Sequence, residues 1–294
     1  MFEFRQYLNV KTRLINEALE RSLPAANTRP AILHRAMRYS VLAGGKRLRP
    51  ILCLAAAKAV GGNVETALLP ALAIEILHTY TLIHDDLPCM DNDKLRRGKP
   101  TSHVVFGAAN AILAGDALLT LAFEWLAGVM PPRPYAPNQL ILELAGAAGS
   151  QGVIAGQVED LASEGKKPSA AKVESIHFLK TAALIRAAVR IGAICGGASR
   201  SELSALGQYG EKAGLAFQIA DDILNETSSP EKLGKAAGSD RSRGKMTYVA
   251  VHGLEKAKKM TRRLAGEAVE SLQSLKGNTE PLAALVEFIV TRKL

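Results

Sequence analysis

The sequence predicts an all-α fold forming a single domain over residues 1–294. Ala and Leu dominate, and the alternating Val/Ile/Thr/aromatic runs that mark strands are absent. Apolar residues make up 48% of the chain, enough for a large core. No Pro/Gly/Ser-rich spacer, low-complexity tract or short repeat divides it.

Residues 4–22 have helical spacing with mixed charge and read as a first, outer helix. Pro30 opens a second helix over 31–42, which stops at Gly44-Gly45, a left-handed cap. Lys46 and Arg49 follow at i, i+3, so both point the same way if a helix starts there. Such a start offers backbone N–H groups to an anion, although a solvated basic turn explains the same residues. An apolar run over 70–83 then delivers two adjacent carboxylates, Asp85 and Asp86, before Pro88 interrupts it. Asp91 and Asp93 follow, and Arg96-Arg97 closes the segment. Adjacent carboxylates repel, so ending a buried helix with them is costly unless a cation is bound. Oxygen-only ligands favour a hard ion such as magnesium, whose shell is completed by waters and phosphate. Guanidinium groups suit phosphate as well. A solvated acidic helix end followed by a basic loop fits this stretch equally. His78 lies two turns before Asp85 on the same face, where a satisfied core histidine is the ordinary explanation. Asp91-Asn92-Asp93 begins like an EF-hand loop, but Leu95 at the third ligand position and Arg96 in place of Gly exclude one.

Residues 99–103 read as a turn, 104–126 as a long core helix and 130–137 as the clearest loop. Residues 149–160 carry Gln157 and Asp160, which either support a metal site or are ordinary helix-surface polarity. Lys180 sits in an apolar run and needs an anionic partner. Residues 217–225 again end an apolar helix with paired aspartates, Asp221 and Asp222, and position 225 shares a face with Asp221. Residues 226–243 are polar and Gly-rich, as in a closing flap. Cys53, Cys89 and Cys195 are scattered and odd in number, so neither a disulfide framework nor a metal set is expected, and the cytoplasm is. No signal peptide is visible at residues 1–7. Asp116 and Glu124 interrupt the nearest approach to a membrane span, so no integral membrane association is expected. The net charge of +9 is spread along the chain, and its clusters beside the acidic motif suit phosphate better than nucleic acid.

Two helices ending in Asp pairs, together with Gly44-Gly45-Lys46-Arg47-Leu48-Arg49-Pro50, resemble the trans-isoprenyl diphosphate synthases, the farnesyl and geranylgeranyl diphosphate synthase family. The resemblance runs from Ala36 nearly to the C-terminal end. It implies the isoprenoid synthase fold, a bundle of roughly ten or more helices around a central cavity, and a homodimer. It also implies magnesium-dependent, head-to-tail joining of isopentenyl diphosphate to an allylic diphosphate (dimethylallyl or geranyl) by allylic ionisation. On that resemblance Asp85, Asp86, Asp91, Asp221 and Asp222 hold magnesium, three ions with substrate bound. Arg96, Lys180 and Lys235 complete the cage around the departing diphosphate, with Gln218 and Thr181 as nearby dipoles and Lys245 closing over the allylic group. Lys46, Arg49, His78 and Arg97 hold isopentenyl diphosphate, and His84 only orients its neighbours. The usual third aspartate of the second motif is here Asn225, which keeps an oxygen ligand but drops a charge.

Product length is expected to turn on Tyr80 and Thr81, five and four residues before Asp85. One helical turn rises about 5.4 Å, close to one isoprene unit, so a bulky residue there can stop one elongation step. In the family an aromatic side chain here tends to stop growth at fifteen carbons and small ones admit twenty, so Tyr80 points to farnesyl diphosphate. Tyr80 could instead face a neighbouring helix, its hydroxyl bonded to backbone, and leave the channel open, which makes geranylgeranyl diphosphate the alternative. A class I terpene cyclase, which binds one diphosphate, and a non-catalytic partner subunit are the other readings. Lys46 and Arg49 would have no purpose in the first, and the second commonly loses its aspartates.

Overall fold

The computed structural model describes residues 2–167, 169–227 and 245–291. Among them the structure is almost wholly helical, as the composition predicts. It divides into two compact units.

The first unit comprises residues 3–51 and 68–130. Helices α1 (Phe4–Ser22) and α2 (Ala31–Val41) bury one stripe each, Ile15, Ala18 and Leu19 on α1 and Ala36, Met37 and Val41 on α2. Arg38 ties them together, with Nη2 on Glu20 Oε1 at 2.7 Å and Nη1 on Leu23 O at 3.2 Å. The unit then takes in the first turn of α3 (Leu48–Ala59) and, from residue 68, most of α4 (Val64–Asp85). Helix α4 is apolar almost all round, so it has no solvent stripe and lies in the interior. It begins before the expected run, with Pro70 inside its second turn. It is long and apolar enough to cross a bilayer, yet 67% of its apolar window is buried within the protein. A two-residue antiparallel ladder follows, β1 (Leu95–Arg96) on β2 (Lys99–Pro100), where a simple turn was expected. The long helix expected over 104–126 is in fact two, α5 (Ser102–Phe106) and α6 (Ala108–Ala127). Gly107 breaks it at φ +82°, which ends one helix and starts the next.

The basic run at 46–49 does not share one helical face. Arg47 has φ +49°, α3 begins only at Leu48, and the Arg47 side chain turns inward. Its Nε donates to Asn16 Oδ1 at 2.9 Å, Nη1 to Glu75 Oε1 at 2.6 Å, and Nη2 to Val41 O at 2.6 Å. One guanidinium thus joins α1, the end of α2 and α4, with both charged partners at most 2% exposed.

The second unit comprises residues 52–67 and those from 131 onward. It holds α7 (Gln139–Ala148), α8 (Val153–Ser163), α9 (Ala170–His177) and a five-residue π-helical turn, Phe178–Ala182. That turn runs on into α10 (Ala183–Cys195) and is followed by α11 (Arg200–Thr227). After the undescribed stretch come α12 (Tyr248–His252), α13 (Leu254–Ser271) and α14 (Glu280–Thr291). Helix α11 packs against α10 on one side and α13 on the other. Its fully buried Tyr209 donates its hydroxyl to Leu282 O at 2.7 Å, anchoring α14. A two-pronged Arg190–Glu143 pair, 2.6 and 2.7 Å, clamps α10 to α7. Cys53, Cys89 and Cys195 are free thiols, as expected.

Removing one member of the Arg47–Glu75 pair leaves the other charge buried and unmatched. Arg47→Ala or Glu75→Gln should therefore lower unfolding free energy by about 3–5 kcal/mol. Lys46→Ala, at an exposed position, should change it by less than about 0.5 kcal/mol. Chemical denaturation of the three variants checks this, and equal effects at 46 and 47 would contradict the assignment.

Candidate active site

In the first unit, the acidic motif is built by a helix end and the loop that folds back onto it. The helix stops at Asp85 because Pro88 has no N–H to continue it and restricts the residue before it. The chain then coils tightly. Met90 and Asn92 both donate N–H to Leu87 O, at 2.9 and 3.0 Å, and Asp91 N–H donates to Asp85 O at 2.9 Å. This brings Asp91 back beside Asp85. Asn92 takes the left-handed φ of +53° that the coil requires and that Asn tolerates. Next, Arg97 and Gly98, both at positive φ, connect β1 to β2 as a two-residue hairpin. The hairpin sends Arg96 and Arg97 in different directions. Arg96 grips the buried Asp86, Nε at 2.9 and 2.7 Å from its two oxygens and Nη2 at 2.6 Å from Oδ1, with Asp93 3.9 Å away. Burial opposes charge on Arg96, but the Asp86 contact and the neighbouring Asp85 and Asp93 hold its pKa above the ordinary value.

Arg97 turns to the glycine loop instead. Its Nη1 donates to Gly44 O, and a Cβ at Gly45 would collide with the guanidinium. Two glycines there, at φ +91° and +121°, are what let the arginine approach. Arg49 Nη1 lies 3.1 Å from His78 Nε2. Burial first, then the guanidiniums of Arg49, Arg97, Arg96 and Arg47, holds the His78 imidazole well below its usual pKa. A neutral imidazole facing a permanent donor must accept through Nε2 and carry its proton on Nδ1. The structure therefore groups Arg49, His78 and Arg97 into one basic cluster, with Lys46 exposed on the same loop. Such a cluster suits an anion.

Tyr80 and His84 share one face of α4, their rings meeting edge to face at 5.4 Å. His84 Nε2 lies 3.1 Å from Ile112 O on α6, and the missing side chain at Gly115 makes room for it. Tyr80, 5% exposed, is thus braced toward α6. Thr81 is half-buried and donates its hydroxyl to His78 O at 2.8 Å.

In the second unit the Lys180-Thr181 pair lies on the π turn. The extra residue of such a turn re-aims consecutive side chains, and π turns concentrate at functional sites. Gly156 and Gly214 flank it so closely that a Cβ on either would meet the backbone at Lys180 or Ala182. Lys180 Nζ bonds Asp160 Oδ2 at 2.6 Å, and Lys245 Nζ lies 3.8 Å from the same oxygen. Thr181 donates to Gln218 Oε1 at 2.6 Å, and Gln218 Nε2 donates to Asp222 Oδ1 at 3.1 Å. Asp222 is 5% exposed and also accepts Tyr248 N–H at 2.7 Å, with His177 Nε2 3.2 Å from Oδ2. Asp221 is exposed and Asn225 half-buried. Lys235 lies outside the described residues.

Asp160 and His177 are the residues that sequence reasoning undervalued. Asp160 is the buried anion that Lys180 demands, rather than helix-surface polarity. His177 carries no sequence signal beyond its place before the lysine. Among the described residues no three His, Cys, Asp or Glu side chains converge on one point. The donor set still fits magnesium, which needs only one or two protein carboxylates besides water and phosphate. The Gln157 amide, whose buried Oε1 and Nε2 have no protein partner, adds polar capacity beside Asp160.

Residues 30–285 match the sequence pattern of the polyprenyl synthetase family. The chain is 47% identical over 298 residues to geranylgeranyl pyrophosphate synthase 12, chloroplastic, of Arabidopsis thaliana, covering 99% of this chain and 82% of that protein. Its structure is similar to that of a geranylgeranyl pyrophosphate synthetase from Pyrococcus horikoshii, with TM-score 0.89, 32% identity, and 99% and 98% of the two chains covered. It is also similar to a geranyltransferase from Helicobacter pylori complexed with magnesium and isoprenyl diphosphate, with TM-score 0.84, 34% identity, and 98% and 96% covered.

His78 should titrate well below about 6.5 in the ligand-free protein. Because the folded value is the lower one, stability is whole above the unfolded pKa and falls as pH drops below it. Adding inorganic diphosphate should move the midpoint up, since an anion offsets the guanidinium charge. Imidazole resonances followed by NMR check both, and an ordinary midpoint unmoved by diphosphate would contradict the cluster.

Proposed function

The chain belongs to the polyprenyl synthetase family and is a prenyl diphosphate synthase, and from that premise we propose that it makes farnesyl diphosphate. The reaction joins isopentenyl diphosphate to dimethylallyl and then geranyl diphosphate. Its hard step breaks the allylic C–O bond, the electron pair leaving with diphosphate and a carbocation remaining. Negative charge must be met where it develops, by groups already in place. The observation that carries the reading is the folded-back loop at 85–91, with Arg96 held on Asp86.

Magnesium, three ions in the full complex, would be held by Asp85, Asp86 and Asp91 and by the second Asp motif, and would supply positive charge to the departing diphosphate. Arg96, Lys180 and Lys235 complete the electrostatic cage, and Lys245 covers it. Gln218 and Thr181 offer dipoles to the cation. Lys46, Arg49, His78 and Arg97 hold isopentenyl diphosphate apart from the metal, so that it does not ionise. The released diphosphate takes the proton when the new C–C bond has formed. The two acidic motifs lie one in each unit.

The bulk of Tyr80, close before the aspartates, supports the fifteen-carbon product, while its bracing by His84 toward a neighbouring helix favours the open channel. The similarity to geranylgeranyl synthases favours the twenty-carbon product as the second reading. A homodimer is supported by apolar side chains left exposed at i, i+4, i+7 on α8 (Ile154, Val158 and Leu161) and by Ile112 and Leu113 on α6. Free, buried thiols at Cys53 and Cys195 support a cytoplasmic location.

Incubation with magnesium, isopentenyl diphosphate and dimethylallyl diphosphate should release diphosphate only when both substrates are present. Release from the allylic substrate alone would indicate a cyclase, and none at all a partner subunit. Asp86→Ala should cost about a thousandfold in turnover, and near-full turnover would remove Asp86 from the site. Product analysis should give fifteen carbons for the wild type and twenty or more for Tyr80→Ala. A wild type that already makes twenty overturns the farnesyl assignment. Sedimentation at micromolar concentration should show a dimer, and a monomer would contradict the interface.

A further inference from the structure

The two aspartates of the second motif are neighbours in sequence but differ in every physical respect. Successive residues on a helix point about 100° apart, so one can face solvent while the next faces the interior. Asp221 is exposed and Asp222 is 5% exposed. A carboxylate offers about four lone-pair sites, and Asp222 spends three of them on protein groups. Gln218 Nε2 takes Oδ1 at 3.1 Å, while Tyr248 N–H at 2.7 Å and His177 Nε2 at 3.2 Å take Oδ2. The nitrogen of His177 that faces a carboxylate must carry its proton there.

These partners come from three segments, one of them the aspartate's own helix. Tyr248 is the first residue of α12 and lies three residues after Lys245. His177 is the last residue of α9, directly before the π turn that carries Lys180 and Thr181. Gln218 is one turn back on α11 and holds Thr181 through its Oε1. The rings of His177 and Tyr248 stack at 6.3 Å, and Tyr248 packs on His252 at 4.4 Å, closing the apolar side.

Resting on the prenyl synthase reading above, we infer that Asp222 is a positioning residue rather than a magnesium ligand. It fixes Lys245, Lys180 and Thr181 relative to one another, and Asp221 alone of the pair contacts metal. Asp222 and His177 form one unit in this role, the histidine acting through the aspartate. The inference narrows the metal set expected from the sequence by one carboxylate.

Asp222→Asn presents an amide group where two donors already point, so it breaks the junction without changing size. Initial rates against magnesium and against allylic diphosphate concentration separate the two roles. Asp222→Asn and His177→Leu should raise KM for the allylic substrate about tenfold and leave half-saturating magnesium unchanged. Asp221→Asn should raise half-saturating magnesium about tenfold. His177→Gln, which keeps an N–H donor, should recover most of the His177→Leu loss. An Asp222→Asn variant whose magnesium requirement rises as in Asp221→Asn overturns the inference. Amide hydrogen exchange at Tyr248 in the ligand-free protein gives a readout that needs no activity. It should quicken about tenfold in Asp222→Asn and His177→Leu and not in Asp221→Asn. Unchanged exchange in both overturns the junction, whereas quickened exchange in both variants of a protein whose wild type shows no condensation activity would refute only the synthase reading.

Discussion

Matching buried carboxylates with cations and N–H donors is the constraint on which this structure depends. A buried charge left alone costs several kcal/mol, against a total stability of roughly 5–15 kcal/mol for a folded domain. Among the described residues each deeply buried acid has such a partner. Arg47 answers Glu75, Arg96 answers Asp86, and Lys180 answers Asp160. Asp222 is answered by three donors from three segments. Each of these pairs also decides where a neighbouring element goes, so the electrostatics and the fold are one problem.

The same pairing bears on how the site works. Arg96 and Lys180, the groups proposed to meet a departing diphosphate, already rest on carboxylates of their own units. The basic cluster of Arg49, His78 and Arg97 is built differently. Its guanidiniums gather around a neutral imidazole, and that concentration of positive charge suits an anion.

Much of the architecture was legible in the sequence because apolar periodicity and helix punctuation carry it. The end of α4 at Asp85 follows from Pro88, and the exposed-apolar balance of α1 and α2 follows from their spacing. Other features needed three dimensions. The inward turn of Arg47 rests on a left-handed φ and on Glu75, twenty-eight residues away, while its neighbours Lys46 and Arg49 look alike in one dimension. The π turn inserts one residue with no propensity signal, and only the glycines that crowd it, Gly156 and Gly214, hint at its place. The split between Asp221 and Asp222 was implicit in helical geometry, since neighbours cannot share a face, but which of the two turns inward depends on His177 and Tyr248. The break at Gly107 was a missed signal of the ordinary kind, an isolated glycine inside a helical pattern.

The central claim is that one diphosphate site is built on the aspartate motifs and the other on the basic cluster of Arg49, His78 and Arg97. Calorimetric binding of isopentenyl diphosphate, and of an allylic diphosphate analogue that cannot ionise, with and without magnesium, tests it directly. The account predicts that magnesium tightens the allylic analogue by about a hundredfold or more, a coupling of roughly 3 kcal/mol, and leaves isopentenyl diphosphate unaffected. Equal magnesium dependence of the two ligands would contradict it.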